Sequence, residues 1–174
     1  MRTIVFVNGI VEDYDRLARW VRDDDTIVCA DGGTRHCLAI GLTPDVIVGD
    51  LDSVDPQRLQ ELQDAGVAVE RQSPNTDQPD LEKALARALR DGANEMLMLG
   101  ALGGRLAQTM ANLHILAQRE WPIPIRIAEG DQIAQVLRGG EYLSLDIPSG
   151  SIVSLIPLSD QVSGVTYQGL EYDL

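Results

Sequence analysis

Residues 49–54, GDLDSV, place two carboxylates, Asp50 and Asp52, and a hydroxyl, Ser53, directly after the apolar run Val46-Ile47-Val48. Carboxylates at alternate positions of an extended chain point the same way and lie close enough to repel. A hard divalent cation resolves that repulsion, because Mg²⁺ takes oxygen ligands from one or two carboxylates together with the oxygens of a substrate phosphate. The plainer use of the same residues is a capped turn, with Asp52 or Ser53 as N-cap of the next helix.

A second acidic group lies in NTDQPDLEKAL, residues 75–85. Asp77 and Asp80 stand three apart at the mouth of a helix, where they either complete a metal shell or complement the positive helix end. Glu82 and Lys83 read as solvated helix surface. The counter-charge comes from GALGGRLAQTMANL, residues 100–113. A glycine-rich turn running into a helix N-terminus presents free backbone N–H groups to an anion, and Arg105 adds a planar guanidinium for phosphate oxygens. This segment has neither the GxGxxG nor the GxxxxGK[ST] spacing, but beside the acidic residues it describes a metal-phosphate site. His36 and His114 fall inside predicted helices without metal-ligand spacing and read as surface or core residues. No Ser-His-Asp or Cys-His arrangement can be assembled.

Strand-length apolar runs must position these groups: TIVFV, TIVCA, DVIVG, VAVE, EMLMLG and IRIAE. They alternate with helical stretches expected over 12–21, 33–40, 56–65, 80–91 and 105–118. Runs apolar at every position suit parallel strands covered on both faces. Residues 1–130 therefore read as a three-layer α/β/α domain with a mainly parallel sheet. The unusual polar loops, Asn8-Gly9, Asp31-Gly32-Gly33, 49–53 and 100–105, all follow strands, at the edge where open α/β sheets bind ligands. After Asp131 the pattern changes to short apolar runs separated by Gly139-Gly140 and Pro148-Ser149-Gly150. Residues 131–174 read as an all-β segment, part of a β-sandwich. It is too short to cover itself, so it leans on the first domain or a partner chain, or the natural chain continues beyond Leu174.

With 14 Lys and Arg against 27 Asp and Glu, the net charge of -13 opposes a nucleic-acid-binding surface while leaving room for small anions held locally. Cys29 and Cys37 have no CxxC spacing, and Cys29 reads as a small hydrophobe inside a strand. The N-terminal MRTIVFVNGI turns polar too early for a signal sequence or a membrane span. A cytoplasmic protein that binds neither nucleic acid nor membrane is expected.

ADGG, TPDVIVGDLDSV, DLEKAL, GALGGR…AN and VSLIPLSDQVSGVTYQGLEYDL stand in the order and spacing of thiamine pyrophosphokinases, and over nearly its whole length the chain resembles that family. The resemblance implies transfer of the diphosphate of ATP to the hydroxyl of thiamine, with release of AMP. It also implies a homodimer with its active site near the dimer interface. On this likeness Asp50, Asp52, Asp77 and Asp80 hold Mg²⁺, and Arg105 neutralises the diphosphate. Asn8, Asp31, Gly32, Gly33, Ser53, Gly103, Gly104, Gln108 and Asn112 serve the nucleotide. Three departures stand out: Ala107-Gln108 where the family carries Asp-His or Asp-Gln, Pro79 before Asp80, and an end at Leu174 ahead of the family's short Ser-Asn motif. They imply reduced activity, and leave as alternatives an impaired nucleotide- or thiamine-binding homologue and a diphosphokinase for another small alcohol such as a pterin.

Overall fold

A computed structural model describes residues 1–71 and 78–172. The elements run β1 (Arg2–Phe6), α1 (Tyr14–Ala18), β2 (Thr26–Ala30), α2 (Thr34–Ala39), β3 (Val46–Gly49), α3 (Pro56–Asp64) and β4 (Ala68–Arg71), then α4 (Asp80–Arg90), β5 (Glu95–Leu99), α5 (Leu106–Gln118), β6 (Ile125–Glu129) and β7 (Gln132–Gln135). The helices begin where the local chemistry allows. Asp13 accepts from the Arg16 amide to cap α1, and Asp55 accepts from the Arg58 amide to cap α3, with Pro56 in its first turn.

The seven strands are ordered β4-β3-β2-β1-β5-β6-β7, parallel throughout except for β7, which pairs antiparallel with β6. Alternation within the strands divides the core into two layers. Ile4, Phe6, Ile27, Cys29, Ile47, Leu97 and Leu99 pack with Leu17 of α1, Cys37 of α2 and Leu59 and Leu62 of α3. Val5, Val28, Val46, Val48, Met96 and Met98 pack on the other side with Leu81, Ala84, Leu85 and Ala88 of α4 and Ile115 and Leu116 of α5. Each large apolar side chain buried in these layers contributes roughly 1.5–3 kcal/mol, which is why truncating the fully buried Phe6 to Ala would cost about 3–5 kcal/mol. Both cysteines are buried and free, as a hydrophobic role for Cys29 requires.

From β1 the chain steps outward through β2, β3 and β4, then returns to place β5 against the other side of β1. The order reverses between β1 and β5, and at such a switch point the loops leaving adjacent strands part to form a ligand crevice. Here those loops are Asn8-Gly9 and 100–105.

The first compact unit is Met1–Val136 and the second Leu137–Leu174. The unit boundary thus falls beyond residue 130, where the sequence pattern changes. The Gly130-Asp131 turn folds the short β7 back onto β6, and Glu129 pairs with Gln132. In the second unit the turn signals fall where turns form: Glu141 N–H donates to the Arg138 carbonyl at 3.0 Å and Ser151 N–H to the Pro148 carbonyl at 3.1 Å. No helix or strand is formed among its described residues. Many of its apolar side chains are open, with Tyr142 91% and Ile152 94% exposed.

Candidate active site

Three carboxylates converge beyond the C-terminal ends of β2 and β3. One oxygen from each of Asp31, Asp50 and Asp52 lies within 4.8 Å of the other two. Ala30 is in register with Val48, which brings Asp31 level with Gly49. A Cβ on Gly49 would lie 2.8 Å from the Asp31 Cβ, so this close approach requires glycine. Asp31 itself has φ 42°, a left-handed conformation that Asp tolerates better than most residues. Its Oδ1 is buried and, among the described residues, has no hydrogen-bond partner. A buried carboxylate oxygen left without a donor, among two further carboxylates, suits a cation.

Asp50 and Asp52 meet by a route other than strand alternation. The strand ends at Gly49, and Leu51 turns the chain with φ 66° while its side chain, 6% exposed, stays in the core. A leucine in this region is strained, and burial of its side chain holds it there. The Asp52 N–H then reaches the Asp50 Oδ1 at 3.3 Å, and Ser53 donates its hydroxyl to the Asp52 Oδ1 at 2.9 Å. Ser53 is thereby tied to the acidic group, while Asp55 performs the helix capping.

At the switch point the two loops are laced together. Gly9 N–H donates to the Gly100 carbonyl at 2.7 Å and Ile10 N–H to the Leu102 carbonyl at 3.0 Å. Gly103 and Gly104 follow with φ 77° and 72°, a left-handed pair that leads the chain into α5. Arg105 is the N-cap residue of α5, and no side chain caps the helix; the Gln108 N–H donates to the Arg105 carbonyl at 2.9 Å, which leaves the Leu106 and Ala107 N–H groups without a cap. Arg105 is exposed and, among the described residues, forms no ion pair. Uncapped Leu106 and Ala107 N–H groups and an exposed guanidinium make this corner receptive to anions.

The other expected site residues have mixed placements. Asp80 opens α4 and pairs with Lys83 Nζ at 3.1 Å, outside the three-carboxylate group; Asp77 lies outside the described residues. Lys83 is buried, not solvated, and is the charged residue that sequence reasoning missed. Its spacing from Asp80, one helical turn, was the available signal. Asn112 is buried and donates to the Ala101 carbonyl at 2.7 Å, while Gln108 donates to the Asn112 Oδ1 at 3.1 Å. The pair ties α5 to the glycine-rich loop from behind. Gly32 and Gly33 are buried against the Asn8 side chain and the Phe6 carbonyl, and Asn8 is exposed above them.

Residues 17–127 match the family model described as thiamin pyrophosphokinase, catalytic domain. The chain is 28% identical over 176 residues to the thiamine pyrophosphokinase of Bacillus subtilis, covering 100% of this chain and 82% of that protein. It is 29% identical to thiamine pyrophosphokinase 1 of Oryza sativa subsp. japonica, over 84% of this chain and 64% of the relative. Among solved structures it resembles the thiamin pyrophosphokinase of Geobacillus thermodenitrificans, with a TM-score of 0.60, 30% identity and coverage of 74% of this chain. It spans only 60% of that structure's length. The family model takes in β2 to β5, the acidic group and the glycine-rich loop, and the chain belongs to the thiamin pyrophosphokinase family.

Proposed function

We propose that the chain is a thiamine diphosphokinase, which transfers the terminal diphosphate of ATP to the hydroxyl of thiamine and releases AMP. The observation that carries this reading is the convergence of Asp31, Asp50 and Asp52 within 4.8 Å on the same sheet edge as the uncapped α5 and Arg105. The names of the relatives, thiamine pyrophosphokinases of bacteria and plants, support thiamine as the acceptor.

In the transfer the thiamine hydroxyl oxygen attacks the β-phosphorus and gives up its proton to solvent, the bond from that phosphorus to the α,β-bridging oxygen breaks, and AMP leaves with the electron pair. Catalysis of such a step is mostly positioning and electrostatics. Mg²⁺ fits the three carboxylates, and Asp31, with its partnerless Oδ1, would hold it together with Asp50 and Asp52. Bound there, it supplies neutralisation of phosphate charge. Arg105 grips diphosphate oxygens, and the Leu106 and Ala107 N–H groups at the start of α5 are offered to the same anion. Asp80 is proposed to border this site from the start of α4, and Asp77 to serve the metal with it.

The assembly we propose is a homodimer with the active site near its interface. It is supported by the exposed Tyr142, Ile152, Ile156 and Tyr172 of the second unit, apolar groups that a second copy would cover. The reaction consumes ATP, and we assign the protein to the cytoplasm; no described helix is long and apolar enough to cross a membrane.

Incubation with ATP, Mg²⁺ and thiamine, followed by chromatography, tests the reading. AMP and thiamine diphosphate in equal amounts are expected. Formation of ADP and thiamine monophosphate, or of AMP only when a hydroxymethylpterin replaces thiamine, would overturn it.

A further inference from the structure

Gly9 is held from both sides. Its N–H donates to the Gly100 carbonyl, and its own carbonyl receives His36 Nε2 at 3.0 Å and Arg35 Nη2 at 2.6 Å. A Cβ at Gly9 would fall 2.1 Å from the Leu102 carbonyl oxygen, so the contact between the two switch-point loops leaves no room for any other residue. The His36 ring also meets the second loop directly, with its Cδ2 3.1 Å from where a Gly100 Cβ would stand.

The hydrogen-bond network selects the tautomer of His36. Tyr14 Oη lies 2.9 Å from Nδ1, and the Gly9 carbonyl oxygen, which can only accept, lies 3.0 Å from Nε2. The shorter of the two Nε2 contacts, 3.0 Å to the carbonyl against 3.3 Å to the Arg35 Nε–H donor, places the proton on Nε2, and Nδ1 accepts from the tyrosine hydroxyl. Arg35 Nε, 3.3 Å from the same Nε2, is then a close cationic neighbour of the ring. Burial is the main cause that lowers the His36 pKa; the Gly9 bond opposes it and the Arg35 charge adds to it. A histidine only 1% exposed, with both nitrogens engaged and no access to solvent, has no proton to deliver to a substrate. Its Nε2 bond runs instead to the backbone of Gly9, in a loop that borders the proposed phosphate site.

We infer that His36 is a positioning residue for the glycine-rich loop 100–105: its neutral imidazole, oriented by Tyr14, holds the Gly9 carbonyl and so fixes Gly9 and Ile10 against Gly100 and Leu102. The sequence singles out His36 only as a helix histidine without ligand spacing, and its role depends on α2 packing beneath the β1 loop. The inference rests on the diphosphokinase reading for its substrate, ATP.

Four proteins test it: the parent, His36→Leu, His36→Gln and Tyr14→Phe. The leucine keeps apolar bulk and loses the donor, whereas glutamine offers an amide N–H at nearly the reach of Nε2. His36→Leu should raise the KM or Kd for MgATP on the order of tenfold, since small misplacements of a binding loop are costly. It should leave the KM for thiamine nearly unchanged and remove hydrogen-exchange protection at the Gly9 and Ile10 amides. His36→Gln should restore most of the ATP affinity and the protection. A folded His36→Leu with parental ATP affinity and parental protection would overturn the inference, as would a His36→Gln as impaired as His36→Leu. If His36→Leu does not fold, Tyr14→Phe decides: weakened ATP binding with faster Gly9 exchange supports the role, and no change in either refutes it. Titration of MgATP by calorimetry gives the same ranking without turnover. A parent that binds MgATP but makes no thiamine diphosphate would therefore count against the diphosphokinase reading alone.

Discussion

Asp31 and Gly49 approach so closely that a Cβ on the glycine would lie 2.8 Å from the Cβ of the aspartate. This contact between the ends of two adjacent parallel strands brings the carboxylate after β2 to those after β3. Gly49→Ala should therefore displace Asp31 and cost roughly 1–3 kcal/mol of stability through overpacking. Urea unfolding and Mg²⁺ titration would show both effects. Unchanged metal affinity in the alanine variant would mean that Asp31 takes no part in the cation site.

Asp50→Asn and Asp52→Asn should each lower Mg²⁺-dependent ATP binding by at least about tenfold and leave the fold intact. Two like charges at one strand end cost the metal-free protein energy, so removing one should not lower stability and can raise it slightly. Parallel calorimetry and unfolding curves check this. Retained metal-dependent binding in both variants would rule out the assignment.

Arg105→Lys should weaken ATP binding even though it keeps the charge, because lysine lacks the planar fork that engages two phosphate oxygens. Arg105 is exposed and has no ion pair among the described residues, so the variant should unfold at the parental urea midpoint. A lysine variant equal to the parent in ATP affinity would make the guanidinium dispensable.

The Lys83–Asp80 pair at 3.1 Å is partly shielded, with Lys83 side-chain exposure of 9%. Lys83→Met should cost about 1–3 kcal/mol by leaving Asp80 without its partner, and less in an Asp80→Asn background. A double-mutant cycle measured by urea unfolding gives the coupling directly. Strict additivity would show that the pair contributes nothing.

Stability should depend on pH through His36, faced by Tyr14 from α1 and Arg35 from α2. Burial lowers its pKa in the folded protein below 6.5, so between those values the unfolded chain binds more protons. Its contribution is fully present above about pH 6.5 and is lost as pH falls through that value toward the folded pKa. Glu129 acts oppositely at lower pH, since burial and then the Glu12 charge raise its pKa above 4.5. Urea midpoints should fall from pH 7.5 to 6, and His36→Gln should flatten that part of the curve. An unchanged slope in the glutamine variant would remove His36 as its source.

The α/β layers were legible because predominantly apolar runs such as TIVCA and EMLML suit strands buried on both faces, and α1 and α3 between them carry aspartate caps. Asp50, Asp52 and Arg105 were legible as a group for a similar reason, since each follows a strand at the same sheet edge. The placement of Asp31 among the carboxylates was not, because it depends on the register of Ala30 against Val48 and on the missing Cβ of Gly49. Alternation suggested that Asp50 and Asp52 point the same way, but the left-handed Leu51, held by burial, is what turns them together. Lys83 looked solvated because it is charged; the packing of α4 on β2 and β3 buries it instead.

Diphosphoryl transfer at the three carboxylates is tested most directly with ATP labelled at the β-phosphate, offered with Mg²⁺ and thiamine to the parent and to Asp31→Asn. The expected result is label in thiamine diphosphate, unlabelled AMP in equal amount, and a rate at least about tenfold lower in the variant. Label retained in ADP, or thiamine diphosphate formed by Asp31→Asn at the parental rate, would contradict the account.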